Sequence, residues 1–269
     1  DPTESRGLGD VYKRQQINLI NYSAELFNSP WVTEHLSFNA ITEFNTGFFL
    51  PPCQTEKGVQ LVIENIRRLQ QQVNRPFAIE TGVNYLRPNN QEMQDGAFVN
   101  ELCKATDCGI LLDIHNLFAN QLNGRQSIED FLKSIPLDNV VEIHIAGGTE
   151  LNNLWLDSHS GPIDKRLLAL TAELLPDLKN LKAITYEIFD SYIPVVGDKL
   201  IISEMEKVRE LWEGRKTSHP VPTELKLPQA VLDIQTLNQQ FAPEEWEKVL
   251  GTCVIDREVD RALFEQDER

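Results

Sequence analysis

His35, His115, His144 and His159, four of the five histidines, stand at or just after the ends of short apolar runs, and Glu80, Asp113, Asp157 and Glu187 occupy similar positions. Together they form a nitrogen-and-oxygen donor set with no thiolate. If the runs are strands of one barrel, all these side chains meet at one mouth. Several carboxylates there repel one another and hold protons unless cations neutralise them. Imidazole with carboxylate suits iron, manganese or zinc, and the lack of a cysteine ligand argues against a structural zinc site. The donors outnumber the three or four side chains that one catalytic metal takes, so two or three ions sharing bridging carboxylates is the better reading.

Taken singly, each residue has a plainer role. A strand-end histidine is more often a satisfied structural group, and a strand-end Asp or Glu can cap the helix that follows, a reading that stays open for Asp157. In "GILLDIHNLFAN" (109–120) the joint pattern is harder to dismiss. Alternate strand residues point the same way, which sends Asp113 and His115 to the mouth together. The same parity joins Asp157 to His159 if their loop is extended, and Glu142 to His144, of which His144 lies nearer the mouth. Glu34 and Asn116 face away, and Asn116 reads as a structural amide.

The elements that must position these groups repeat from residue 31 onward. "WVTEHL" (31–36), "FAIE" (77–80), "GILLD" (109–113), "VVEIHI" (140–145) and "AITYE" (183–187) read as strands. Between them, Val59, Val62, Ile63, Ile66, Leu69 and Val73 share one helical face, Ser127 with Asp130 resembles a capping box, and "DKRLLALTAELLP" stops at Pro176. "DKLIISEMEKVRELW" (198–212) is a further amphipathic helix. Strands alternating with helices imply βαβ units, hence a parallel sheet, either doubly wound or a (β/α)8 barrel. Neither G-x-G-x-x-G nor a P-loop is present, and chemistry at several strand ends favours the barrel. The fold class expected is therefore α/β, a TIM-like (β/α)8 barrel of which only five strands are visible, with three expected upstream.

Four regions follow. Residues 1–15, "DPTESRGLGDVYKRQ", resemble translated adapter sequence and are set apart as non-native. Residues 16–213 hold the partial barrel, 214–228 a polar linker with three prolines, and 229–269 a small helical C-terminal extension. The length suits one large α/β domain with a tail. With 41% hydrophobic residues and no apolar run near the roughly 20 that cross a bilayer, no membrane association is expected. A net charge of −16 opposes contact with phosphate backbones, so no nucleic-acid partner is expected. The four cysteines form no C-x-x-C pair and no secretory signal is visible, which fits the cytoplasm.

At the site residues the sequence is similar to the multinuclear non-heme iron-dependent oxidative enzymes, formerly a domain of unknown function (DUF692), among them the enzyme that forms methanobactin. "TEHLSFN" with His35, "AIETGVNYL" with Glu80, "LLDIHNLFAN" with Asp113 and His115, "EIHIAGG" with His144, "LDSHSGPI" with Asp157 and His159, and "TYEIFDSYIP" with Glu187 follow the family's motifs in order across about 17–212. The resemblance implies a TIM-like barrel whose fourth to eighth strands are those seen here, the first three and a further histidine ligand lying upstream. It also implies an enzyme with two or three irons, using dioxygen to modify a peptide precursor at cysteine, with a possible separate recognition protein. By residue matching, Glu80 bridges, Asp113, His144 and Glu187 surround one iron, His35 serves a second, and His115, Asp157 and His159 serve a third. Thr81 stands where relatives usually have Asn, which alters hydrogen bonding behind the ligands. Gly148 stands where many have His, which removes an outer substrate contact.

Two rival readings remain. Ligand chemistry alone equally allows a non-redox divalent-metal barrel, such as a sugar isomerase or a phosphodiester hydrolase. A degenerate barrel acting as a peptide-binding scaffold would have lost ligands, whereas every ligand expected in the covered region is present.

Overall fold

The computed structural model describes residues 8–41, 44–85 and 92–215, with side chains described over 16–38, 49–85 and 92–215. The chain divides into two units, Asp1–Thr223 and Glu224–Arg269. The 229–269 extension and all but the first two residues of the 214–228 linker lie outside the described residues.

All five expected strands form: β1 (Val32–His35), β4 (Phe77–Glu80), β5 (Gly109–Asp113), β6 (Val140–Ala146) and β9 (Ala183–Glu187). They lie side by side in chain order, and every pairing is parallel. A doubly wound sheet reverses its strand order partway. This one never does, so it is a TIM-like half-barrel sheet, which settles the choice the sequence left open.

Register carries the site. His35 pairs with Glu80, Glu80 with Leu111, Asp113 with His144, and His144 with Thr185. Paired residues share a face, and so do residues two apart on one strand. Glu80, Asp113, Glu142, His144 and Glu187 therefore all lie on one face. The two-residue offsets, from Leu111 to Asp113 and from Thr185 to Glu187, are the stagger that a curving barrel wall requires. The alternate residues Ile79, Ile110, Leu112, Ile143 and Ile145 are buried in the hydrophobic core on the other face.

Helices cover that second face. α2 (Glu56–Gln70) starts at Thr55, whose Oγ1 accepts the Gly58 N–H, and buries Val59, Ile63 and Ile66 on the expected stripe. α3 (Asp95–Thr106), which the sequence reading does not single out, buries Phe98, Val99, Leu102 and Cys103 and ends at Asp107 in the left-handed region. α4 (Ile114–Leu122) follows β5 with no loop between them. α5 (Ile128–Ser134) is capped by Ser127, which accepts the Asp130 N–H as expected. α6 (Lys165–Leu174) runs into a 3-10 turn containing Pro176, and the short α7 (Ile193–Val196) precedes α8 (Asp198–Gly214).

Three features depart from the simple β/α repeat. α1 (Leu8–Leu26) runs through the boundary drawn after residue 15. Antiparallel hairpins also interrupt the repeat after β1 and after β6: β2 (Phe38–Ile41) with β3 (Phe44–Leu50), and β7 (Thr149–Leu151) with β8 (Leu154–Leu156). The second turns on Asn152 and Asn153, both at positive φ, as a two-residue hairpin turn needs. Among the described residues, no helix is long and apolar enough to cross a membrane.

Candidate metal centre

Glu80, Asp113, His144 and Glu187 leave the ends of four adjacent strands, and one potential ligand atom from each lies within 4.8 Å of the others. His144 Nδ1 lies 3.1 Å from Glu187 Oε1 and 3.5 Å from Glu80 Oε1. Asp113 is 1% exposed; its Oδ1 accepts the Asn116 N–H at 2.8 Å, while its buried Oδ2 has no hydrogen-bond partner. His144 Nδ1 is likewise buried, and its close approaches to carboxylate lack hydrogen-bond alignment. Buried polar atoms are normally paired, so lone pairs converging on one point fit a cation better than they fit one another. His35 sits at the rim on β1, its Nε2 3.4 Å from Glu80 Oε2 and its ring against Phe49, with centroids 4.8 Å apart.

His115, Asp157 and His159 form a second group within the same 4.8 Å limit. Asp157 Oδ1 lies 2.7 Å from His159 Nε2 and 3.1 Å from His115 Nδ1. His159 Nε2 is also 3.7 Å from Glu187 Oε2, which places the two groups side by side. Phe189 stacks on the His159 ring, with centroids 4.5 Å apart.

The route by which His115 arrives corrects the sequence reading. β5 stops at Asp113, and His115, 0% exposed, lies in the first turn of α4, so strand parity does not govern it. The capping role kept open for Asp157 belongs to Asp113, whose side chain is the α4 N-cap. Asp157 follows β8 and is tethered by its backbone N–H, which donates to Tyr85 Oη at 2.9 Å. The loop after it is not extended, since His159 has a φ of 43°, yet both side chains still meet. Asn116 is a structural amide as expected, its Nδ2 donating to the Thr81 carbonyl at 3.1 Å.

Electrostatics follow from crowding these groups together. Burial pushes the Asp113 carboxyl well above its usual range, and the charges of Asp157, Glu80 and Glu187 add to it against the Asn116 N–H. Burial opposes a charged His144, but Glu142, Glu187 and Glu80 outweigh it and push its pKa up to about 12. Burial likewise opposes a charged His159, which Asp157 nevertheless holds above the ordinary value. Asp157 lies below the carboxylate range because His115 and His159 overcome its burial, and His144 does the same for Glu187. Without a cation, protons on Asp113 and His144 offset the negative charge; a bound metal ion would take their place.

Behind these groups lie Glu142, which the sequence reading places second to His144, and Trp31 and Thr185, which it passes over. Glu142 Oε2 accepts the Trp31 indole N–H at 2.8 Å, and its Oε1 accepts Thr185 Oγ1–H at 2.9 Å and lies 3.3 Å from His144 Nε2. The shared parity of Glu142 and His144 was the available signal: one carboxylate orients the imidazole whose other nitrogen faces the cluster. Thr81 Oγ1 is buried without a hydrogen-bond partner. Gly148 has no room for a side chain, because an added Cβ would fall 2.4 Å from both His115 Nε2 and Trp155 Nε1.

A parallel β/α half-barrel whose strand ends gather carboxylates and imidazoles defines a barrel-type protein with two residue groups that could hold a metal ion. The chain belongs to the family described as RiPP precursor modification enzyme MbnB/TglH/ChrH, whose profile matches residues 7–213. It is 28% identical over 215 residues to a UPF0276 protein of Caulobacter vibrioides, covering 80% of this chain and 75% of the relative. It is also 28% identical over 218 residues to a UPF0276 protein of Psychromonas ingrahamii, covering 80% and 76%. Among solved structures, the IOLI protein with a bound zinc atom aligns over 79% of this chain and 73% of its own at 13% identity and a TM-score of 0.48.

Proposed function

We propose that this chain is a non-heme iron oxidoreductase, holding two or three irons and using dioxygen to modify a ribosomally synthesised precursor peptide at cysteine. The observation that carries the reading is the buried convergence of Glu80, Asp113, His144 and Glu187 around unpartnered Asp113 Oδ2 and His144 Nδ1. Family membership supports a precursor peptide as the substrate class. In this reading the same four residues are catalytic. Glu80 would be shared between two ions, His35 would serve the second, and His115, Asp157 and His159 would flank a third position.

Bound iron would supply an open coordination position for a substrate thiolate and the means to activate dioxygen. The chain's own part is geometric and protonic. Trp31, Thr185 and Glu142 fix the His144 ring, and the Asn116 N–H fixes Asp113. Phe49 and Phe189 each lie against one imidazole ring at the mouth, that of His35 and that of His159. Asp113 and His144, both protonated without a cation, would give up those protons to hold an ion. A cytoplasmic setting accords with free Cys53, Cys103 and Cys108. A separate recognition protein and a peptide-gripping role for the C-terminal extension complete the proposal.

The test is iron analysis of protein purified without oxygen, with oxygen uptake followed on adding a cysteine-bearing precursor peptide. Two or three irons per chain and peptide-dependent uptake are expected; less than about one iron per chain overturns the reading. Zinc or manganese in its place, with no oxygen uptake, would mark a non-redox isomerase or hydrolase.

A further inference from the structure

The His115 ring has both nitrogens engaged. Its Nδ1 faces Asp157 Oδ1 at 3.1 Å, and its Nε2 lies 3.1 Å from the Trp155 indole Nε1. Indole N–H can only donate, so Nε2 must be the acceptor and the ring proton must sit on Nδ1, pointing at Asp157. The lone pair that an imidazole needs to bind a metal is therefore already used.

The indole is held in place from several sides. Asn123, at the end of α4, accepts the Trp155 backbone N–H at 2.8 Å and donates to the Trp155 carbonyl at 2.9 Å. Phe118 meets the indole edge-on, with centroids 5.6 Å apart. The bare backbone of Gly148 is what admits this contact, since a Cβ there would collide with both ring nitrogens.

We infer that Trp155 plugs His115 against metal: its indole N–H occupies Nε2 and so pins the ring proton on Nδ1, the nitrogen that faces Asp157, making His115 a positioning residue for Asp157 and leaving Asp157 and His159 as the side chains of this group open to an ion. The inference rests on the metal-binding reading proposed above. It concerns how many ions the second group can hold and leaves the Glu80, Asp113, His144 and Glu187 group unaltered. Trp155→Phe keeps most of the packing against Phe118 but removes the donor, so the ring proton can move to Nε2 and free the Nδ1 lone pair towards Asp157 and His159.

The experiment uses the full chain without oxygen, loaded with Fe(II) and desalted, and counts metal per chain for wild type, Trp155→Phe and Trp155→Phe/His115→Ala. In parallel, ¹⁵N-edited spectra of the histidine rings in metal-free wild type read the His115 tautomer. Expected are a His115 ring protonated at Nδ1 only, about one more ion per chain in Trp155→Phe than in wild type, and loss of that extra ion in the double variant. Equal, non-zero counts in wild type and Trp155→Phe overturn the plug, as does a His115 ring protonated at Nε2 in wild type. No metal on wild type or on any variant instead overturns the metal-binding reading beneath it.

Discussion

Asp113 and Asn116 are joined by a hydrogen bond of 2.8 Å from the Asn116 N–H to Asp113 Oδ1, while Asp113 Oδ2 faces the cluster without a partner. One carboxylate thus caps α4 and keeps a second oxygen free to take an ion. Asn at this position keeps the capping oxygen but cannot ionise. The Asp113 pKa is raised, so ionising it destabilises the metal-free fold increasingly as pH climbs above the ordinary carboxylate value of 3.8. Asp113→Asn is therefore expected to melt higher than wild type in chelator at neutral pH, with the gap closing towards pH 4. Asp113→Ala also loses the cap, at a cost of about 1 kcal/mol. Both variants should bind less iron than wild type. Thermal melts with and without metal check the order, and a metal-free Asp113→Asn that melts below wild type at neutral pH contradicts it.

Glu142 touches His144 from the side away from the cluster and is itself held by Trp31 and Thr185. Partners of this kind set ring orientation, and losing one typically lowers metal affinity about 10- to 100-fold. Glu142→Gln should show that loss in a competitive chelator titration. Its circular dichroism should match wild type.

His144 carries a second consequence. Its pKa stands at about 12 against an ordinary 6.5, so the stability its proton lends the metal-free fold is complete below pH 6.5 and lost as pH rises through about 12. An ion binding at Nδ1 must displace that proton, and Asp113 releases another while its own raised pKa keeps it protonated. Affinity for Co(II) is expected to rise about tenfold per pH unit for each proton released. Calorimetry in buffers of different ionisation enthalpy counts the protons; a flat affinity between about pH 6 and 8 contradicts the assignment.

The strands were legible because each is a short apolar run with a carboxylate or an imidazole at or near its end, and register then made those ends adjacent. What defeated the reading was local. After Asp113 the apolar residues Leu117, Phe118 and Ala119 continue the run, and α4 starts with no turn residue to announce it. His115 therefore reaches the site by helical geometry, where alternation misassigns the cause. The β7–β8 hairpin was signalled by Asn152-Asn153, a pair suited to positive φ, but it lies outside the β/α rhythm. Trp155 comes in on that hairpin. No spacing rule links it to His115, 40 residues away.

His35 and Glu80 pair across β1 and β4, with His35 Nε2 3.4 Å from Glu80 Oε2, and the histidine side chain is 42% exposed against 8% for the glutamate. If Glu80 bridges two ions, removing each partner has a different consequence. His35→Ala removes a rim group with little packing and is expected to change stability by no more than about 0.5 kcal/mol. It should lower iron content by about one ion while the group around His144 stays loaded. Glu80→Gln removes the shared carboxylate and should empty both positions. Iron counts with Mössbauer spectra of the two variants separate the cases. Equal iron loss in both would place His35 and Glu80 on the same ion and remove the bridge.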